Sequence, residues 1–361
     1  MISQHKLPTY LNQIRTGIFF LICILLLPCC AGKAVLSSDS GSPALSGKTI
    51  AVFPFENLSD RKNAVCEAMP YVYRRLQDSG IEIAPATSVE RFLVINEIRN
   101  FGHFSGEILN LVKQDLGVDY VLFGSINSYS AESPALSVSA RLVSVPDGKV
   151  LWGNSSALSG GDFKRILGLG KINDPAVLTS KVIEDLFAPM DGLSLPDDQE
   201  TKRLFRVAVM PFENFSNRKS SGLITTYLFL SALTSKPGWE VVEYGRSWNV
   251  LVSENYRYRG NLDYETLQAM GKAIDVDGII LGTVEEYKEA VGTGKYLIPE
   301  VCISLRLLHI PTKTIAWADQ MSSTGEDYIS VFDWGRIRTA DQLAQEMVRQ
   351  MVKRLPRAEI K

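Results

Sequence analysis

The stretch IAVFPFENLSDRK at residues 50–62 returns as VAVMPFENFSNRK at residues 207–219, with nine of thirteen positions identical. The echo continues in the same order. DLGVDYVLFGSI at 115–126 answers AIDVDGIILGTV at 273–284, and RLVSVPDGKVLW at 141–152 answers RLLHIPTKTIAW at 306–317. Three ordered landmarks, offset by 157 to 165 residues, predict two copies of one domain in this 361-residue chain. A feature present in both copies belongs first to the fold and only second to any chemistry.

Outward from that stretch, each copy reads as an alternation of strands and helices. The apolar runs at 49–55 and 206–212 suit central strands covered on both faces, with Pro54 and Pro211 near their ends. Glu-Asn-x-Ser then marks a turn, with Asn57, Ser59, Asn214 and Ser216 as expected caps of the helix that follows. Helices are predicted to about residues 77 and 233, short strands at 81–84 and 239–242, and second helices at 89–99 and 247–254. Third helices start at Ser105 and Asp263, the first ending at Gly117. A hairpin grammar follows. Strands are predicted at 120–129, 136–145 and 149–156, and again at 278–287, 301–310 and 314–322. In the middle strand Leu136, Val138, Ala140 and Leu142 alternate with Ser137, Ser139 and Arg141. Closing helices fall at 176–187 and 340–355. The expected fold class is α/β: two repeated α/β sandwich domains, each a mixed sheet with an antiparallel meander and flanking helices. The first repeat spans 48–187, a linker containing Pro189 and Pro196 spans 188–202, the second repeat spans 203–355, and 356–361 is a tail.

Bulk properties narrow little. Net charge is −2 and hydrophobic residues make up 45%, which suggests neither a disordered chain nor a global nucleic-acid footprint and leaves a local basic patch open. The N-terminus says more. Lys6 and Arg15 precede the apolar run at 18–27, and Pro28-Cys29-Cys30-Ala31-Gly32 follows. A basic region, about ten apolar residues and a small-residue exit predict a signal peptide over residues 1–30. The run falls short of the roughly 20 residues of a membrane-spanning helix. Residues 31–47, rich in Ser, Gly and Ala, read as a flexible tether. Cys66 and Cys302, one per copy at non-equivalent positions, read as buried free thiols and not as a disulfide.

The leader followed directly by cysteine resembles a bacterial lipoprotein processing site, in which one of Cys29 and Cys30 would become the acylated N-terminus. Ordinary cleavage near residues 31–34 is the alternative. The absence of Asp after either cysteine implies, by that resemblance, delivery to the outer membrane. The three repeated blocks together resemble the TolB N-terminal-domain type and the CsgG-like envelope lipoproteins over both repeats. That resemblance implies a periplasm-facing module that binds other envelope proteins or self-assembles.

No catalytic constellation emerges. GSPALSGKT at 41–49 has five residues between its glycines where a phosphate loop needs four, and the strand follows it instead of preceding it. GLGK at 168–171 has no strand before it. His5, His103 and His309 lack any zinc-ligand spacing, no G-x-S-x-G elbow occurs, and Glu285/Glu286 read as solvated charge. No metal and no cofactor are expected. The candidate ligand or partner loop is the repeated strand end, Glu56, Asn57, Glu213 and Asn214, against which stands a plain turn role. Aromatic residues over 244–258, among them Trp248 and Tyr256, have no counterpart in the first copy and suit either a partner surface or helix packing.

The functional expectation is a non-enzymatic exported envelope lipoprotein acting as a protein-binding or assembly module at the outer membrane, or soluble in the periplasm if unlipidated. Its partners would be other envelope proteins, the membrane through the N-terminal lipid, and a further copy of itself, with no nucleic acid. One alternative is a subunit of an oligomeric CsgG-like secretion channel, against which the short meander turns count. The other is a ligand-binding or enzymatic domain with its site at the strand-end Glu-Asn loops.

Overall fold

A computed structural model describes residues 45, 47–145, 147–163, 170–193, 204–253, 264–291, 298–329 and 335–356. All belong to one compact unit, Ser42–Lys361. The leader, Cys29, Cys30, most of the 31–47 tether, most of the 188–202 linker, and all of the 356–361 tail but Pro356 lie outside the described residues.

The first half runs β1 (Thr49–Val52), β2 (Glu56–Asn57), α1 (Ala64–Asp78), β3 (Glu82–Ile83), α2 (Ala86–Ile95), α3 (Gly106–Leu116), β4 (Tyr120–Ser130), β5 (Ala135–Ser144), β6 (Lys149–Ser159) and α4 (Pro175–Phe187). The second repeats that order as β7 (Phe205–Val209), β8 (Glu213–Asn214), α5 (Ser221–Leu233), β9 (Trp239–Val242), α6 (Tyr244–Ser253), α7 (Tyr264–Ala273), β10 (Gly278–Val291), β11 (Ile298–His309), β12 (Thr314–Thr324) and α8 (Ala340–Arg354). Short 3-10 turns at Gly160–Phe163 and Ala188–Gly192 flank α4. The fold is mixed α/β on one twelve-stranded sheet, with the path β12-β11-β10-β7-β9-β6-β5-β4-β1-β3.

Strand register coincides between the halves. Phe123 faces Arg141 across β4–β5, and Arg141 faces Gly153 across β5–β6. Leu281 faces Arg306, and Arg306 faces Ala318, at the matching places of β10, β11 and β12. The predicted long first strand is instead two short ones, β1 with β2 and β7 with β8, because a proline at 54 and 211 has no amide to give the ladder. α2 begins at Ala86 and α6 at Tyr244, each three residues earlier than the sequence pattern places them. Ser105 caps α3 by accepting from the Ile108 amide at 3.3 Å, and Gly117 closes it at φ 65°. α8 starts with a reciprocal capping box between Thr339 and Gln342.

The halves meet edge to edge. β6 pairs antiparallel with β9, Lys149 opposite Val242 and Val150 opposite Val241. One hydrophobic core runs through this joint, holding Phe53, Phe104 and Phe123 of the first half with Phe212, Phe229 and Met347 of the second. The corresponding helices α1 and α5 differ sharply. α1 buries a single stripe, Ala64, Ala68, Met69, Val72 and Leu76, whereas α5 buries eleven of thirteen residues. α5 needs that composition because it lies between α8 on one side and β5 and β6 of the first half on the other. Cys302 is buried as expected; Cys66 is exposed, because it lies off the buried stripe of α1.

Candidate partner-binding face

The repeated Glu-Asn strand ends sit at equivalent places, Glu56 opposite Ser125 on β4 and Glu213 opposite Thr283 on β10. Their asparagines tie the turn to itself. Asn57 donates to the Arg61 and Lys62 carbonyls at 2.9 and 3.3 Å and accepts from the Ser59 amide at 3.1 Å. Asn214 does the same with Arg218, Lys219 and Ser216, at 2.7, 3.1 and 2.9 Å. These side chains therefore close the loop and do not cap the next helix; Asn63 and Ser220 hold the N-cap positions and make no side-chain cap bond.

The two glutamates have different surroundings. Glu56 accepts from the Tyr227 hydroxyl of α5 at 2.7 Å. Beside it lies Arg141 on β5, whose guanidinium forms a two-pronged pair with Glu243, just past β9, at 2.7 and 2.6 Å. Arg141 also donates to the Gly102 carbonyl at 2.6 Å and stacks over the Tyr227 ring, 4.6 Å from its centroid. Arg141 is 2% exposed and Glu243 fully buried, so both charges have left water and compensate one another. Burial raises the Glu56 carboxyl above the usual range, opposed by the Tyr227 hydrogen bond and the Arg141 charge. Burial, with Arg141 nearby, lowers His103 to about 4, so its imidazole is neutral at pH 7. Its ring packs edge-on to Tyr244 at 4.7 Å, and Trp248 stacks on Tyr244 at 6.1 Å. Tyr256 and Tyr258 lie outside the described residues.

Sequence reasoning singled out Glu56 but missed Arg141, Tyr227 and Glu243. Arg141 was visible only as a member of a polar strand face, and its partner lies 102 residues away. Its recurrence as Arg306 was the available signal. That polar face is no solvated face: Ser137, Ser139 and Arg141 are all buried, since the second half covers them. The Arg141–Glu243 pair and the Tyr227–Glu56 hydrogen bond lock the two halves together.

The equivalent face of the second half is open among the described residues. Arg306 takes the place of Arg141 and is exposed. Glu213, Thr283, Ser304, Arg306, Asp319 and Gln320 line a groove of about 480 Å³ there. The Thr283 and Ser304 hydroxyls bond each other at 2.6 Å, and Asp319 pairs with Arg354 at 3.0 Å. Among the described residues no cluster of His, Cys, Asp and Glu is arranged to hold a metal ion. Nor is any described helix long and apolar enough to cross a membrane.

No protein-family profile matches the chain, and no curated protein does. Solved structures do resemble it. The lipoprotein GNA1162 from Neisseria meningitidis is 26% identical over 38% of this chain and 95% of its own, with a TM-score of 0.29. The PelC dodecamer from Paraburkholderia phytofirmans is 14% identical over 42% of this chain and 87% of its own, with a TM-score of 0.29. The LpoB C-terminal domain from Escherichia coli is 17% identical over 34% and 89%, with a TM-score of 0.27. Bacterial lipoproteins are thus among the structures this chain is similar to.

Proposed function

We propose that this chain is a non-enzymatic, exported envelope lipoprotein that binds another protein through the open face of β10, β11 and β12. The observation that carries the reading is the contrast between the halves. One sheet face occurs twice in matching register, sealed by α5 in the first half and, among the described residues, uncovered in the second. A face that packs protein in one copy is suited to packing protein in the other. Its lining mixes Leu281 and Ala318 with the Thr283 and Ser304 hydroxyls, the Gln320 amide, the Glu213 carboxylate and Arg306, the mixture of apolar and polar groups found at a reversible interface. The basic and apolar leader ending at Cys29 and Cys30 supports export and a lipid anchor, and hence a partner in the envelope. CsgG-like and TolB-like modules are the finer kinship that the repeated blocks support.

The test is a photo-crosslinking amino acid placed at exposed Gln320 in the groove, and as a control at exposed Val177 on α4, in cells expressing the full chain. A protein adduct at position 320 but not at 177 is the expected result. Equal labelling at both positions, or none at 320 in a folded and exported protein, overturns the reading.

A further inference from the structure

Among the described residues, the two surfaces that meet at the joint recur unpaired at the ends of the strand path. β6 offers Lys149 and Val150 to β9. By the repeat, the counterparts on β12 are Thr314 and Ile315, and Ile315 is 48% exposed at the outer edge of the sheet. β9 offers Val241 and Val242; pairing β1 with β3 and β7 with β9 in matching register makes their counterparts Ile83 and Ala84, at the opposite outer edge.

The helix seated over the joint is duplicated too. Tyr227 and Ser231 of α5 lie on the first half's sheet, Tyr227 at Glu56 and Ser231 so close to Gly153 that a Cβ there would stand 2.7 Å from the Ser231 Cα. Ungapped extension of the 50–62 and 207–219 blocks places Pro70 and Arg74 of α1 at those positions, and both are exposed. Their corresponding seat is the open groove, where Glu213 replaces Glu56 and Ala318 replaces Gly153; the Ala318 Cβ holds an entering helix farther from the sheet than α5 stands from β6.

We propose that the partner of this face is a second copy of this chain, joined head to tail: β12 of one molecule pairs with β3 of the next, whose α1 enters the groove. The inference rests on the reading of the groove as a protein-binding face and adds the identity of the partner. Ile315 meets Ile83 across the new strand pair, one apolar side chain against another. Pro70 has no hydroxyl for Glu213, and the residue corresponding to Glu243 is Pro85, so the seam lacks two buried polar contacts of the internal joint and is reversible. The contact is heterologous, so each addition leaves another free edge and the assembly does not stop at two.

The experiment uses the full chain in membranes, in a Cys66→Ser background, with Arg74→Cys and Ala318→Cys introduced singly and together. After mild oxidation, a non-reducing gel of the double variant should show a ladder of two, three and more chains, absent from either single variant. Adding Ile315→Arg should reduce the ladder at least tenfold. A double variant that stays monomeric while folded, a ladder equal in the single variants, or indifference to Ile315→Arg overturns the proposal. A photo-adduct at position 320 that contains a different protein leaves the binding face standing and removes only the second copy as its occupant.

Discussion

Arg141 and Glu243 are the residues whose loss the fold would feel most. Deleting one partner strands the other charge in a site that excludes water, which costs about 3–5 kcal/mol. Glu243→Ala is therefore expected to lower unfolding free energy by that order in urea titration, while pairing Arg141→Met with Glu243→Leu recovers most of it. A loss below about 1 kcal/mol for Glu243→Ala would show that the pair is not buried as described. His103 carries a pH signature. Its folded value of about 4 lies below the ordinary 6.5, so its contribution is complete above pH 6.5 and is lost as pH falls toward 4, about 3 kcal/mol in all. Glu56, raised by burial, acts in the other sense, with stability present at low pH and lost as pH rises. The difference between wild type and His103→Gln, measured from pH 7 to pH 4, isolates the histidine: the variant's profile should be flatter. Parallel profiles would place His103 in water.

Among the elements, α1 and α5 show how one position in a repeat diverges once its surroundings differ. Both follow the same Pro-Phe-Glu-Asn turn, but only α5 is enclosed, and its sequence is apolar nearly all round. Gly153 on β6 accepts the α5 backbone at contact distance, whereas Ala318 on β12 faces solvent. A leucine at each site separates the two environments. Gly153→Leu must push α5 off the sheet and should cost about 1–3 kcal/mol, while Ala318→Leu should stay within about 0.5 kcal/mol, both read by thermal or urea denaturation. Comparable losses at both sites would mean that the second-half face is covered. The Asn-Ser turns, self-bonded in both copies, explain why Glu56 and Glu213 hold the same backbone geometry in different chemical settings.

At the scale of the molecule, β6 and β9 turn two sheets into one, and the antiparallel joint reverses the second half relative to the first. The core continues through that joint, so the second half's α5 and α8 also serve the first half's sheet. A chain built this way ends in two edges that match its own internal seam. The Ile315 and Arg74 variants test whether those edges are used.

Legible from residues alone were the repeated order of elements, the central strands, the Ser105 and Gly117 caps and the hairpin meanders, because periodicity and turn chemistry are local. The Glu-Asn loops were also legible as a repeated pair. Illegible were the split of the first strand at Pro54, the exposure of Cys66, and above all the different fates of Glu56 and Glu213. Alternation in β5 marked Ser137, Ser139 and Arg141 as a polar face, yet nothing local says whether water or another helix lies over it. Burial of that face depends on α5 and Glu243 arriving from about 100 residues away, and only the tertiary joint of β6 with β9 brings them there.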